Sequence, residues 1–148
     1  MEYLAVRPEA FSGSIIVTDV APVSVEQAAR IVGVAFLQGA PSSTRARLRD
    51  LGHFGRWVWL DKRASWPAVV VARLAELDAA TQADVLGRWD AHMRLRQRFR
   101  RSTRRRRLGS VGLALAGYKT LGWEVASAPT AARDGEPTPE WLRADTAA

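Results

Sequence analysis

The spacing of apolar positions changes several times along this chain, and each change marks an element. Ser14-Ile15-Ile16-Val17-Thr18 is a β-branched run that predicts one short strand, closed by Pro22. Ser24 and Gln27 form an S-x-x-Q capping box ahead of a helix from about Val25 to Leu37. Its apolar residues, Val25, Ala28, Ala29, Val32 and Phe36, recur at three- and four-residue spacing. Gly39-Ala40-Pro41-Ser42-Ser43 predicts a turn, with Ser43 capping a shorter helix from about Thr44 to Leu51 that closes at Gly52. Gly55 then opens an alternating segment, Gly55-Arg56-Trp57-Val58-Trp59, which reads as a strand or the arm of a hairpin.

Further along, Ser65 is the expected cap of a helix that carries Pro67 in its first turn and runs to about Leu77. Asp78 either continues that helix or restarts it with a new cap. A long helix is predicted from about Gln82 to Arg107, with Val85, Leu86, Trp89, Met93 and Phe99 as its apolar stripe. Beyond Leu95 the stripe thins while Arg accumulates, so this helix is expected to project from the body or lie along a partner. Val111 to Ala116 fits a buried strand or a Gly-broken helix equally well. From Ala126 onward the Pro, Ala, Thr and acid content predicts a mobile tail, or one that docks back onto the Arg run.

The expected fold is mainly α with one or two short strand pairs, a helix-turn-helix-like N-terminal half and a long Arg-rich helix. Residues 1–78 are expected as a small helical domain with short β elements. Residues 79–125 hold the long basic helix and the ambiguous apolar segment, and residues 126–148 an acidic, Pro-containing flexible tail.

Composition narrows the chemistry. A chain of 148 residues, 47% hydrophobic and 25% charged, suits one globular domain. The absence of Cys excludes a disulfide framework, Cys-ligated zinc or iron–sulfur, and a cysteine nucleophile. His53 and His92 lie far apart with no carboxylate at metal-ligand spacing, so no metal or cofactor is expected. No phosphate-binding, dinucleotide-binding, nucleophile-elbow or zinc-protease motif occurs, and Asp50, Asp61, Asp84 and Asp90 show no spacing that pairs them. A non-enzymatic protein is expected. Met1 to Pro22 contains no basic region followed by an apolar core, which points to the cytoplasm. The least charged stretch, Leu108 to Tyr118, is about half the ~20 residues that cross a bilayer, so a membrane role is the weaker reading.

Charge changes the picture most. The formal net charge is +7, and of the 22 basic residues only Lys62 and Lys119 are lysines. The charge is blocked: residues 94–107 hold nine Arg and no acid, whereas residues 124–148 hold five acids against Arg133 and Arg143. On one helix Arg94, Arg96, Arg98, Arg100, Arg101, Arg104, Arg105, Arg106 and Arg107 would surround the cylinder, an arrangement that repels itself unless an anion neutralises it. Nucleic acid is the expected partner, DNA favoured over RNA. Anionic lipid, an acidic protein, or neutralisation by the tail are the other readings. Of the Trp residues, one of Trp57 and Trp59, together with Trp66 and Trp89, is expected in the core.

Ser24 to Leu60 gives helix, turn, Arg-bearing helix and aromatic strand in the order a winged helix-turn-helix uses. Ser24-Val25-Glu26-Gln27-Ala28-Ala29-Arg30-Ile31-Val32-Gly33-Val34 looks like the first helix and turn of MerR-type regulators and phage excisionases. Thr44-Arg45-Ala46-Arg47-Leu48-Arg49-Asp50-Leu51-Gly52 resembles their recognition helix, and Gly55-Arg56-Trp57-Val58-Trp59 their wing. Ala35 to Ser43 is several residues longer than the tight turn of those proteins. The resemblance implies that Arg45, Arg47 and Arg49 contact bases or phosphates, and that Arg56 makes a wing contact. The expected function is that of a DNA-binding regulator or mobile-element accessory factor, a homo-oligomer paired through Val85, Leu86, Trp89 and Met93. The alternative is an assembly component of a phage particle or nucleoprotein complex, located in the virion, whose Arg run and tail are interfaces to other subunits or to packaged DNA.

Overall fold

Four helices run through the described part of this computed structural model, which comprises Ala10 and residues 41–59, 66–119, 125–127 and 129–137: α1 (Pro41–Val58), α2 (Pro67–Glu76), α3 (Ala79–Leu95) and α4 (Arg101–Lys119). The protein is mainly helical, and no strand occurs among the described residues. The strand expected at 14–18 and the capped helix at 25–37 lie outside them.

Helix α1 corrects three expectations, the first being that it begins at Pro41, so that Ser43 lies within it and is not its cap. It passes through Gly52, where a stop was predicted, and Gly55 to Val58 form its last turn and not a strand. Each helical Gly disfavours the helix by about 1 kcal/mol relative to Ala. Burial outweighs that: Leu51, Phe54, Trp57 and Val58 are all in the core at helical spacing, each worth about 1.5–3 kcal/mol. The Trp59 amide still reaches the Gly55 carbonyl at 2.9 Å, so the helical pattern carries both Trp57 and Trp59 inward.

Helix α2 starts with Pro67 in its first turn, as expected. Its N-cap is Trp66 and not Ser65, and Trp66 is 55% exposed, outside the core where it was predicted. Asp78 restarts the chain as the N-cap of α3, its Oδ1 accepting from the Thr81 amide at 2.7 Å. Hydrogen bonds from the Thr81 hydroxyl and amide hold the Asp78 carboxyl below its ordinary pKa.

The single helix expected from Gln82 to Arg107 is two helices, broken at residues 96–100. A continuous helix would stack Arg94 on Arg98 and Arg96 on Arg100 and Arg104 at four-residue spacing with no acid between them, a repulsive arrangement. The break also turns Phe99 back against the core. Val111 to Ala116 is helical within α4, where Leu108, Val111, Ala114 and Leu115 are buried at three- and four-residue spacing.

Helix α4 packs on α1, α2 and α3, and α1 also packs on α2. Phe54 lies at the centre, its ring centroid 5.0 Å from Trp89, 6.0 Å from Trp59 and 6.4 Å from Trp57. Val85, Leu86, Trp89 and Met93, expected as a pairing stripe, are buried in this same core and present no free face. Gln82 is fully buried: its Nε2 donates to the Leu74 and Leu77 carbonyls at 3.0 and 2.8 Å, and its Oε1 accepts from the Ala126 amide at 2.9 Å. One side chain thus finishes α2 and ties down the start of the C-terminal segment.

Candidate nucleic-acid interface

Helical geometry sorts the arginines of α1. At about 100° per residue, Arg45, Arg49 and Arg56 fall within about 40° of one another, a single stripe roughly 16 Å long. All three are exposed. Arg47 points the other way, half-buried, into an open groove of about 460 Å³ between α1 and α4 that it shares with Asp50, Arg106 and Ser110. The Arg56 guanidinium donates to His53 Nδ1 at 3.2 Å, which leaves the ring proton on Nε2. Burial, then the charges of Arg107, Arg56 and Arg49 against an opposing Asp50, push the His53 pKa below its ordinary value.

The Arg run divides into an inner and an outer set. Arg104 is fully buried and uses its whole fork: Nη1 to Asp90 at 2.6 Å, Nη2 to Asp134 at 2.7 Å and to the Ala132 carbonyl at 2.8 Å, and Nε to the Phe99 carbonyl at 3.1 Å. Arg94, also buried, donates to the carbonyls of Glu136 at 2.6 Å and of Arg133 and Pro137 at 3.3 Å. Arg101 Nε donates to the Ala131 carbonyl at 3.0 Å. These bonds draw residues 131–137 onto the helices, so in this part the tail docks on the Arg run; residues 138–148 lie outside the described residues.

Asp50 is the second internal anchor. Its carboxylate is buried and accepts from the Ser110 hydroxyl at 2.8 Å and from Arg106 at 3.4 Å, with Arg107 Nε at 4.0 Å. Arg107 lies over the Phe99 ring, 4.6 Å from its centroid, and burial pushes its pKa down against the opposing Asp50 charge. Arg106 keeps 56% of its side chain in solvent.

The outer set is Arg96, Arg98 and Arg100 in the α3–α4 turn and Arg105 on α4. All four are exposed, and none forms an ion pair with a described acid. The sequence-predicted cluster is therefore not one surface: Arg94 and Arg104 serve the interior, Arg101 and Arg107 are partly committed, and the rest face water.

Asp134 belongs to the acidic tail that was one of the expected partners of the block, whereas Asp50 and Asp90 were not foreseen in that role. Asp50 lies four residues before Phe54, and Asp90 four after Leu86 and three before Met93, so both fall in line with the apolar stripe of their helix, and that was the available sign of inward-facing counter-charges.

No helix among the described residues is long and apolar enough to cross a membrane, and no group of three or more His, Asp and Glu there could hold a metal. No protein-family model matches the chain, and neither does any curated protein or solved structure.

Proposed function

We propose that this protein binds nucleic acid, duplex DNA in preference to RNA, without catalysing a reaction, in the service of a regulator or mobile-element accessory role. The observation that carries this reading is the sorting of guanidinium groups. The fold spends Asp50, Asp90, Asp134 and the tail carbonyls on the inner arginines and leaves Arg45, Arg49, Arg56, Arg96, Arg98, Arg100 and Arg105 facing solvent with no described acid paired to them. A surface of like charges without counter-charges suits a polyanion.

Duplex is favoured because Trp57, Trp59 and Trp89 are buried, so that Trp66 is the one exposed Trp among the described residues and no pair of rings is offered to successive unpaired bases. With no β-wing at Gly55 to Val58, the reading rests on phosphate contacts and not on a winged helix-turn-helix docking. Six to eight such contacts give a slope of log K against log salt of about −5 to −7 on duplex DNA. Fluorescence anisotropy with labelled duplex DNA, single-stranded DNA and RNA across a salt series tests this, with light scattering reporting mass. Duplex binding with a steep slope supports it; absence of binding to all three at low salt refutes it.

A further inference from the structure

The α3–α4 turn closes in an uncommon way. The Arg96 and Gln97 amides both donate to the His92 carbonyl, at 2.9 and 3.2 Å, and the Phe99 amide donates back to the Met93 carbonyl at 2.9 Å. That last bond spans six residues, one more than the bond that closes a Schellman turn, and it brings Phe99 back against the core through a residue in the left-handed region. The residue there is Arg98, with φ of 57°, and it is the sole described non-glycine residue with positive φ. Glycine is the usual occupant, because a Cβ is strained in this conformation.

No side-chain bond among the described residues compensates the strain. Arg98 is exposed, and no bond or ion pair to a described residue uses its guanidinium. Phe99, packed inward beneath Arg107, does the anchoring, so the turn would close equally well around glycine. What Arg98 adds is a third cation at the apex of the reversal, between exposed Arg96 and Arg100. No described acid forms an ion pair with it: Asp90 and Asp134 hold Arg104, and Asp50 holds Ser110 and Arg106.

We propose that the Arg96–Arg98–Arg100 turn is the principal phosphate clamp of the protein, gripping the sugar–phosphate backbone of a nucleic acid, with Arg98 held at a glycine position for its charge. This deepens the nucleic-acid reading and rests on it. Three guanidinium groups on one tight reversal can address neighbouring phosphate oxygens from one side, and the half-buried Phe99 and buried Met93 fix the turn before the ligand arrives.

The test compares the full chain with Arg98→Gly, Arg98→Asn and Lys119→Gln, using a labelled duplex of about 25 base pairs over about 50–300 mM salt together with thermal melts. Asparagine tolerates the left-handed region, so Arg98→Asn removes the charge while keeping the turn. Lys119→Gln removes a charge from the far end of α4. Loss of one phosphate contact weakens binding about five- to tenfold near 0.1 M salt and lowers the slope by about one. The expected result is that loss in both Arg98 variants, no comparable loss in Lys119→Gln, and an Arg98→Gly melting temperature at or above that of the parent. If the parent binds duplex but the Arg98 variants bind as it does, or Lys119→Gln loses as much, the clamp is overturned while nucleic-acid binding stands. If the parent binds no nucleic acid, both readings fall.

Discussion

Arg104 and Asp90, fourteen residues apart on different helices, meet at 2.6 Å with Arg104 wholly enclosed and Asp90 nearly so. Burial alone would lower the Arg104 pKa, but its hydrogen bonds to Asp90 and Asp134 outweigh burial and leave it raised. Asp90 uses its other oxygen on the Ala132 amide at 3.0 Å, so the pair joins α3, α4 and the C-terminal segment. Removing one partner leaves the other charge buried and uncompensated. Arg104→Met or Asp90→Asn should destabilise by about 3–5 kcal/mol in urea unfolding. The double variant should lose less than the sum of the two. Additive losses would mean that the pair is not a coupled unit.

The inner and outer arginines should respond differently to the same substitution. Arg45→Gln, Arg49→Gln and Arg56→Gln combined should lower the salt slope by about three with little change in melting temperature. Replacing Arg104 to Arg107 with Gln should lower the slope by about one to two, since Arg105 is exposed and unpaired and Arg106 is half in solvent though bonded to Asp50, and should also destabilise the fold through Arg104. A slope change of four from the second set would contradict the interior placement of Arg104 and Arg107.

Arg98→Gly should stabilise the protein by about 1 kcal/mol by relieving the left-handed strain. For a chain of this size that is a rise of roughly 2–4 °C in melting temperature. A fall of similar size would show that Arg98 makes a stabilising contact in the folded state.

Gln82→Leu keeps the side-chain volume roughly constant while taking the Gln82 amide away from the Leu77 carbonyl and the Ala126 amide, and leaving the Leu74 carbonyl with the Leu77 amide alone. A loss of about 1–3 kcal/mol is expected, measurable by denaturant titration. Protease cutting near residue 126 should rise in parallel, because the bond that holds that segment is gone. Unchanged stability would show that water replaces the amide without loss.

His53 gives the pH dependence a sign. Its folded pKa lies below the ordinary 6.5 because of burial first and the surrounding Arg107, Arg56 and Arg49 charges next, with Asp50 opposing. As pH falls below about 6.5 the unfolded chain takes up a proton that the folded chain refuses, so stability drops and then levels off below the folded pKa. Above that range the group contributes nothing. His53→Asn should flatten this part of a stability–pH profile, and a bound polyanion should shrink the drop by favouring the protonated ring and so raising the folded pKa towards its ordinary value. A profile that the substitution leaves unaltered would remove His53 as its source.

Local pattern was enough to read part of this molecule. The Pro67 helix, the inward Trp89 and the Arg run all follow from neighbours within four residues, where propensity, capping and helical spacing act, and the Asp78 cap was one of two readings those neighbours allowed. Such signals failed where two local readings competed. Gly55-Arg56-Trp57-Val58-Trp59 alternates like a strand, yet Leu51, Phe54, Trp57 and Val58 also fall at helical spacing, and the aromatic core formed with Trp89 decided for the helix. The end of α3 was hidden for a similar reason, because Arg is a good helix former and nothing local shows that Phe99 must return to the core.

The charge sorting lay wholly beyond local reading. Residues 94–107 show nine cations and no acid, and the sequence by itself determines that this block needs counter-charges. Which anions supply them depended on tertiary structure, since Asp90, Asp134 and Asp50 reach Arg104 and Arg106 across 14, 30 and 56 residues. The physical reason is that charge pairing follows distance in space, which only the packed helices set. The same packing that enclosed Arg94 and Arg104 left Arg45, Arg49, Arg56, Arg96, Arg98, Arg100 and Arg105 outside.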